Sequence, residues 1–432
     1  MFVGNFDRAP GGTLSANRAT MRNEGVALTW LFGVMVACAA PLDQRVDDAE
    51  PMAPNTPATT ATTATAGTAP TASPPRPPST VETLKLARVV VDHAVHTIAI
   101  TKDDGDTLEG VDLAIALGED SHYSLDLVTK HGFAKLAELV DAGARMKIAR
   151  RDLLPPIAEG NAQVNAAENY ADHQAETGAT ATMPFLFPKV AQPTGCEVTV
   201  ARQSRDLLDY ESELCVAFGR DLEKTEDLQG TTVGFMLCND LSERATQVLK
   251  LDPSHQSSGK GFTDAKSRPG FLPVGPYVVV PRNPRTFLPT VTLRLWVNGE
   301  QRQEDSPKNM IWDVERLVTE ALAAGADPRF ELDGKPLALL PEGKLAKGML
   351  LVSGTPGGII LEAPSTQYKV LAAAAYVATG AFLSGKSVEQ YVQEKYVDDL
   401  RASGKFLKPG DVVEAEGTFL GRQRITISGA ND

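Results

Sequence analysis

The 432-residue chain carries 42 lysines and arginines against 55 aspartates and glutamates, a formal net charge of −13. That acidity excludes nucleic acid as the default partner, because phosphate recognition needs a basic surface. Six histidines and four cysteines are too few and scattered for zinc ribbons or a disulfide-dense scaffold. No apolar run approaches the roughly 18 residues a membrane helix needs, which excludes a multi-spanning protein.

Residues 1–20 show neither helical nor strand period and precede a second methionine, Met21. Beyond Arg22, Val26 to Ala37 form a largely apolar run of 12 residues, followed by Cys38. The run is too short to span a bilayer and suits the apolar region of a signal peptide. The small residues before Cys38 resemble a bacterial lipobox, so residues 1–38 are expected to be an uncertain start plus leader, with Cys38 the lipidation site. Residues 51–80 hold Pro, Ala, Thr or Ser at 26 of 30 positions, with Arg76 the sole charge. Such a segment buries too little to offset its ordering entropy, so 39–80 is expected to be an extended, disordered tether. The implied location is the cell envelope, lipid-anchored or secreted, with membrane contact only through the N-terminal anchor; the alternative is cytoplasmic.

Folded sequence begins near Val81. Residues 84–101 predict two strands with a turn, and Leu125, Leu127, Phe133, Leu136 and Leu139 predict a helix over 124–145 ending near Gly143. From 196 to 300 short apolar runs broken by Gly and Pro predict strands, with Asn298-Gly299 the strongest hairpin signal. Ile311, Val314, Val318 and Leu322 predict a helix over 311–323. Residues 366–404 predict two helices interrupting a β region, the second with Val388, Tyr391, Val392 and Tyr396 on one side. Three cysteines, Cys196, Cys215 and Cys238, fall in the folded part; the odd number leaves at least one free thiol, and no disulfide is assigned.

The sharpest chemical signal is Asp209-Tyr-Glu-Ser-Glu213. Alternate residues of a strand share a face, so Glu211 and Glu213 point together. Neighbouring carboxylates cannot both stay ionised cheaply without a cation between them. Asp240 closes the next strand, and three carboxylates on neighbouring strands form a hard oxygen site for Mg²⁺, Mn²⁺ or Ca²⁺. The bland alternative is a solvated strand edge.

These residues carry a wider resemblance. Tyr210 to Leu214, Asn239 to Gln247, Gly259-Lys260, Pro273 to Pro276, Val297 to Glu300 with Gln303, Ser353 to Gly358 and Lys408 to Asp411 occur in the order found in the fumarylacetoacetate hydrolase family. Asn169 to Glu176 resembles that family's lid motif, and Pro184 to Lys189 its next turn. The resemblance implies a mixed α/β, β-dominated fold: a mixed β-sandwich roll catalytic domain over 151–432 with the helical insert 366–404, preceded by a small α+β domain over 81–150. It implies metal ligation by Glu211, Glu213 and Asp240, with Mg²⁺ the expected ion. It implies substrate contacts by Arg244, Gln247 and Thr355, and a catalytic lysine at Lys260.

It also implies a general base at His173 oriented by Glu176, since residues three apart share a helical face. The expected reaction is hydrolysis of a carbon–carbon bond in a β-diketo acid of the acylpyruvate or fumarylpyruvate type, by a homodimer acting on small molecules. The alternatives are a decarboxylase or isomerase of 2-oxo acids, or a tethered binding protein without turnover. Glu243 stands where the family more often has Ala, beside the metal-site strand, which points to a different substrate.

Overall fold

The computed structural model of the protein describes residues 82–119, 123–157, 162–178 and 183–430. The leader and tether readings, Cys38 included, lie outside the described residues. The elements that frame the sheets and the site are numbered in chain order. The N-terminal segment holds β1 (Thr83–Val91), β2 (Ala94–Asp103), β3 (Thr107–Asp112), α1 (Ser124–His131), α2 (Phe133–Ala142) and β4 (Arg145–Ala149). The β1–β2 turn is made by Asp92 and His93, both in left-handed backbone (φ 48° and 71°). The expected single helix over 124–145 is two helices, because Gly132 adopts φ 79°, a conformation that ends a helix.

The next elements are β5 (Gln163–Ala167), α3 (Ala171–Thr177), β6 (Phe185–Lys189), β7 (Glu197–Arg202), β8 (Ser212–Phe218), β9 (Val233–Asn239), α4 (Arg244–Lys250), α5 (Phe262–Lys266) and β10 (Val278–Pro281). After them come β11 (Leu293–Val297), β12 (Glu300–Asp305), α6 (Val314–Ala324), β13 (Leu351–Val352), α7 (Thr366–Ala378), α8 (Val388–Ser403), β14 (Val412–Gly417) and β15 (Gly421–Gly429). The fold is mixed α/β and strand-rich. Its large sheet runs β4-β3-β2-β1-β10-β9-β8-β13-β5-β6, with Leu153–Leu154 paired to β1. A second sheet runs β12-β11-β14-β15-β7. The β13–β5 and β15–β7 pairs are parallel.

Strand β1 pairs antiparallel with β10, so the boundary expected near residue 150 is crossed by one continuous sheet. That edge is not exposed because Leu84, Leu86, Val278 and Val280 are all buried in the shared core. Every residue of β8 is buried, which places it at the centre of the large sheet. The Asn298-Gly299 hairpin forms as its sequence requires, with φ 52° and 82° at the two turn residues. A disulfide joins Cys215 of β8 to Cys238 of β9, a pairing the sequence left unassigned, and Cys196 is free and buried.

The 366–404 stretch is two helices, each started by a serine. Ser365 accepts from the Tyr368 amide, and Ser387 forms a capping box with Gln390. Helix α8 packs onto α4 through Val397, which shares a small apolar cluster with Leu207, Ala245, Phe406 and Val248. Gln393 adds a hydrogen bond to the Leu251 carbonyl at 2.8 Å. Among the described residues no helix is long and apolar enough to cross a membrane.

Candidate metal and active site

The site grows out of the β8–β9 pairing. Ser212 lies opposite Asn239, and the Asp240 amide donates to the Glu211 carbonyl at 2.9 Å, so the ladder continues one step past both strands. Glu211 and Glu213 share a face, and Asp240 comes to the same side. One carboxylate oxygen from each lies within 4.8 Å of the other two, and all three residues are buried. Each carboxylate is held separately. Gly354 donates to Glu213 at 2.6 Å, Asn165 to Asp240 at 2.8 Å, and Arg244 to Glu211 at 2.5 Å.

Two buried lysines complete the cluster. Lys266 Nζ bridges Asp240 at 2.6 Å and Glu211, and Lys189 Nζ donates to the other oxygen of Asp240. Burial alone would raise Glu211, but Lys266 and Arg244 overcome it and hold this carboxyl below its usual range. Glu213 goes the other way: burial, Asp240 and Glu211 push it well above the carboxylate range. A buried carboxyl kept neutral by its neighbours becomes an anionic ligand once a cation is near. The donor set is all hard oxygen, and Glu213 has no lysine or arginine of its own. These residues therefore fit a hard divalent cation.

His173 sits on α3, which ends at Gly178 in left-handed conformation. Burial drives the imidazole down to about 4, so it stands neutral. Its Nδ1 lies 4.0 Å from Glu176 Oε2, and neither atom has a hydrogen-bond partner among the described residues. Glu176 is anchored by its other oxygen, which accepts from the Gly358 amide at 2.7 Å. An approach of about 1 Å would make the histidine–carboxylate hydrogen bond.

Arg244 donates to Asp209 at 2.9 Å and to Gln247 Oε1 at 2.7 Å. Burial lowers it, yet Asp209 and Glu211 more than compensate and keep it charged. Gln247 thus has only its NH2 end left for a substrate. Thr355 donates to the Ser212 carbonyl at 3.2 Å and accepts from Gln303 at 2.9 Å. Gln303 also holds the Ser212 amide at 2.9 Å, fastening the Thr355 loop to the carboxylate strand. Gly358 in that loop has φ +101°, and a Cβ there would fall 2.0 Å from the Arg302 carbonyl oxygen. His173, Glu211, Arg244, Gln247, Lys266 and Thr355 all line one chamber of about 30 Å³, room for about one water.

Lys260 does not join this group. It is exposed in a turn, its amide bonded to Ser258 Oγ at 3.3 Å. The lysine at the carboxylates is Lys266, six residues on, because α5 turns that end of the segment inward. Glu243 also departs from expectation. Its carboxylate caps α4, accepting from the Ala245 and Thr246 amides at 3.1 and 2.7 Å and from the Leu207 amide at 2.9 Å. It positions the helix that carries Arg244 and has no contact with the chamber among the described bonds.

Sequence reasoning missed Lys189, Asp209, Asn165 and Glu168. Asp209 is fully buried and accepts from Arg244 and from the amides of Tyr210, Ile360 and Leu361. It stood two residues from Glu211 in the very stretch that signalled a metal. Glu168 is buried beside α3 with left-handed backbone (φ 60°), its carboxylate bonded to Thr177 Oγ1 at 2.9 Å. Burial raises it to about 7, opposed by that hydrogen bond.

Residues 161–428 match the model of the fumarylacetoacetate (FAA) hydrolase C-terminal family. An uncharacterized protein of Staphylococcus epidermidis is 29% identical over 218 residues, 48% of this chain and 62% of that relative. One of Staphylococcus haemolyticus is 29% identical over 223 residues, 49% of this chain and 64% of the relative. The match thus spans less than two thirds of the length of these curated relatives. Among solved structures, a fumarylacetoacetate hydrolase from psychrophilic Exiguobacterium antarcticum aligns with a TM-score of 0.50 at 22% identity, covering 80% of this chain and 100% of that one.

Proposed function

The chain belongs to the fumarylacetoacetate hydrolase family, and on that premise we propose that it is a metal-dependent hydrolase cleaving a carbon–carbon bond in a β-diketo acid of the acylpyruvate or fumarylpyruvate type. One observation carries the reading. A neutral buried histidine, with its orienting carboxylate 4.0 Å behind it, shares a chamber with a charged arginine and one member of a buried three-carboxylate cluster. Glu211, Glu213 and Asp240 would hold Mg²⁺ or Mn²⁺, which when bound supplies Lewis acidity to the 2-oxo-carboxylate end of the substrate.

The chain's own groups do the rest. Arg244 orients the substrate carboxylate, and the Thr355 hydroxyl joins it by turning from the Ser212 carbonyl to which it donates in the free chain. His173, with Nδ1 toward Glu176, takes a proton from water at Nε2, and the hydroxide adds to the distal carbonyl carbon. The carbon–carbon bond to that carbonyl then breaks and its electron pair leaves with the 2-oxo acid fragment. His173 returns the proton to the departing carbon, giving a carboxylic acid and pyruvate. Lys266 and the Gln247 NH2 face the charge that develops, the role that usually contributes most.

A decarboxylase or isomerase of 2-oxo acids is the second reading, because these groups polarise and protonate equally well without attacking water. The test follows the enol absorbance of acetylpyruvate with the metal-stripped full chain, before and after adding Mg²⁺ or Mn²⁺. Metal-dependent loss with pyruvate and acetate as products supports the hydrolase. Turnover of oxaloacetate to pyruvate and carbon dioxide, with acetylpyruvate untouched, replaces it with a decarboxylase.

Two wider readings belong to the same proposal. The Cys215–Cys238 disulfide supports an envelope location, since reducing cytoplasm keeps thiols free. Cell fractionation that finds the chain only in cytoplasm would remove that reading. The enzyme is further proposed to be a homodimer, which light scattering checks directly.

A further inference from the structure

Outside the 30 Å³ chamber lies a vestibule of about 330 Å³, and Glu168, Thr177, Gln247, Phe262 and Leu361 line both. The two spaces therefore adjoin through shared walls, and the inner one is too small to take an acyl chain. The outer wall is α8, the helix whose docking on α4 the Val397 cluster fixes. Its Val388, Val392 and Tyr396 face Val248, Leu251 and Leu361 across the space. Of the four α8 positions that the sequence placed on one side, these three thus wall the vestibule, while Tyr391 packs on Tyr376.

The charges of this vestibule matter as much as its apolar wall. Among the described residues lining it, Glu168, Glu362 and Glu389 are acidic and Lys369 alone is basic. Glu168 is buried, whereas Lys369 is exposed and has two acidic neighbours on the same rim. Among the described residues no arginine lines it to receive a second carboxylate, in contrast to the inner chamber with Arg244 and Lys266.

We infer that the insert 366–404 makes the vestibule a specificity pocket for a neutral, apolar acyl group, so that the substrates are monoanionic acylpyruvates with extended aliphatic or aromatic acyl ends and not diacids of the fumarylpyruvate type. This rests on the hydrolase reading for what happens in the inner chamber, and it adds which end of the substrate occupies the outer one. The physical basis is transfer of the acyl chain from water to an apolar wall, about fourfold in affinity for each methylene that enters. A terminal carboxylate would lose its hydration beside buried Glu168, with only the exposed Lys369 on the rim as a cation.

The test is calorimetric binding of three unreactive 2-oxo acids, pyruvate, 2-oxooctanoate and 2-oxoadipate, to the Mg²⁺-loaded full chain. The expected result is 2-oxooctanoate at least tenfold tighter than pyruvate, and 2-oxoadipate without that gain. Val392→Asp and Val388→Asp should each erase the gain, and Val388 is 38% exposed, so its variant keeps the fold. Equal affinity for pyruvate and 2-oxooctanoate, or 2-oxoadipate as tight as 2-oxooctanoate, overturns the pocket while leaving the inner site standing. No binding of any 2-oxo acid overturns the hydrolase reading beneath it.

Discussion

His173 and Glu168 show how far burial sets chemistry at single residues. Lowered to about 4, the His173 imidazole is already the base form at any neutral pH. A base must be unprotonated to act, so the acid limb of kcat/KM should lie near pH 4, with no fall between 7 and 5; a limb near 6.5 would mean the ring is solvated. Replacing His173 by Ala should lower kcat about a hundredfold or more while Mg²⁺ affinity, read by calorimetry, stays unchanged. Glu168 works in the opposite sense. Its folded value of about 7 lies above the ordinary 4.5, so the folded state holds the proton more tightly than the unfolded chain. The stability this gives is complete below 4.5 and is lost as pH rises toward 7. Glu168→Gln should flatten that decline in urea unfolding measured across the same range.

At the scale of elements, α4 is the piece on which most of the site depends. It carries Arg244 and Gln247, is started by Glu243 and is covered by α8. Glu243 accepts from three amides and the Thr246 hydroxyl, more than an ordinary cap. Glu243→Ala should therefore cost about 2 kcal/mol, the upper end for a lost N-cap, seen as a lower urea midpoint at constant m. The same change should raise KM through Arg244. The Glu at this position, which from sequence pointed to an altered substrate, is answered by geometry: it shapes the helix end and leaves substrate range to other walls. The insert α7–α8 is the stronger source of that difference, because it walls the outer space.

For the whole molecule, the three carboxylates create a linkage between metal and folding. An ion that binds only the folded chain stabilises it in proportion to the logarithm of its concentration over Kd. Mg²⁺ at a hundred times its Kd should add about 2.7 kcal/mol and raise Tm accordingly. Glu213→Gln, which removes the carboxylate lacking any cation of its own, should abolish the shift. A Tm indifferent to Mg²⁺, Mn²⁺ and Ca²⁺ in the unsubstituted chain would remove the metal from the site.

Local patterns settled what is local. Alternation along a strand put Glu211 and Glu213 on one face, two left-handed residues made the Asn298-Gly299 hairpin, and Ser387 with Gln390 started α8, because each depends on neighbours within a few positions. Ordered motifs were enough to point to the family. Tertiary structure decided which charges meet. Lys260 stands between Gly259 and Gly261 and Lys266 between Ala265 and Ser267, contexts that do not say which is buried, and only the inward end of α5 sends Lys266 to the carboxylates and leaves Lys260 in water. Lys189 reaches Asp240 from a strand 51 positions away, and β1 joins β10 across nearly two hundred, so neither could be read from spacing. The vestibule is the same case: an amphipathic side legible in α8 became a pocket wall only when Val397 docked it beside α4, since a cavity belongs to the packing of distant segments and has no period of its own.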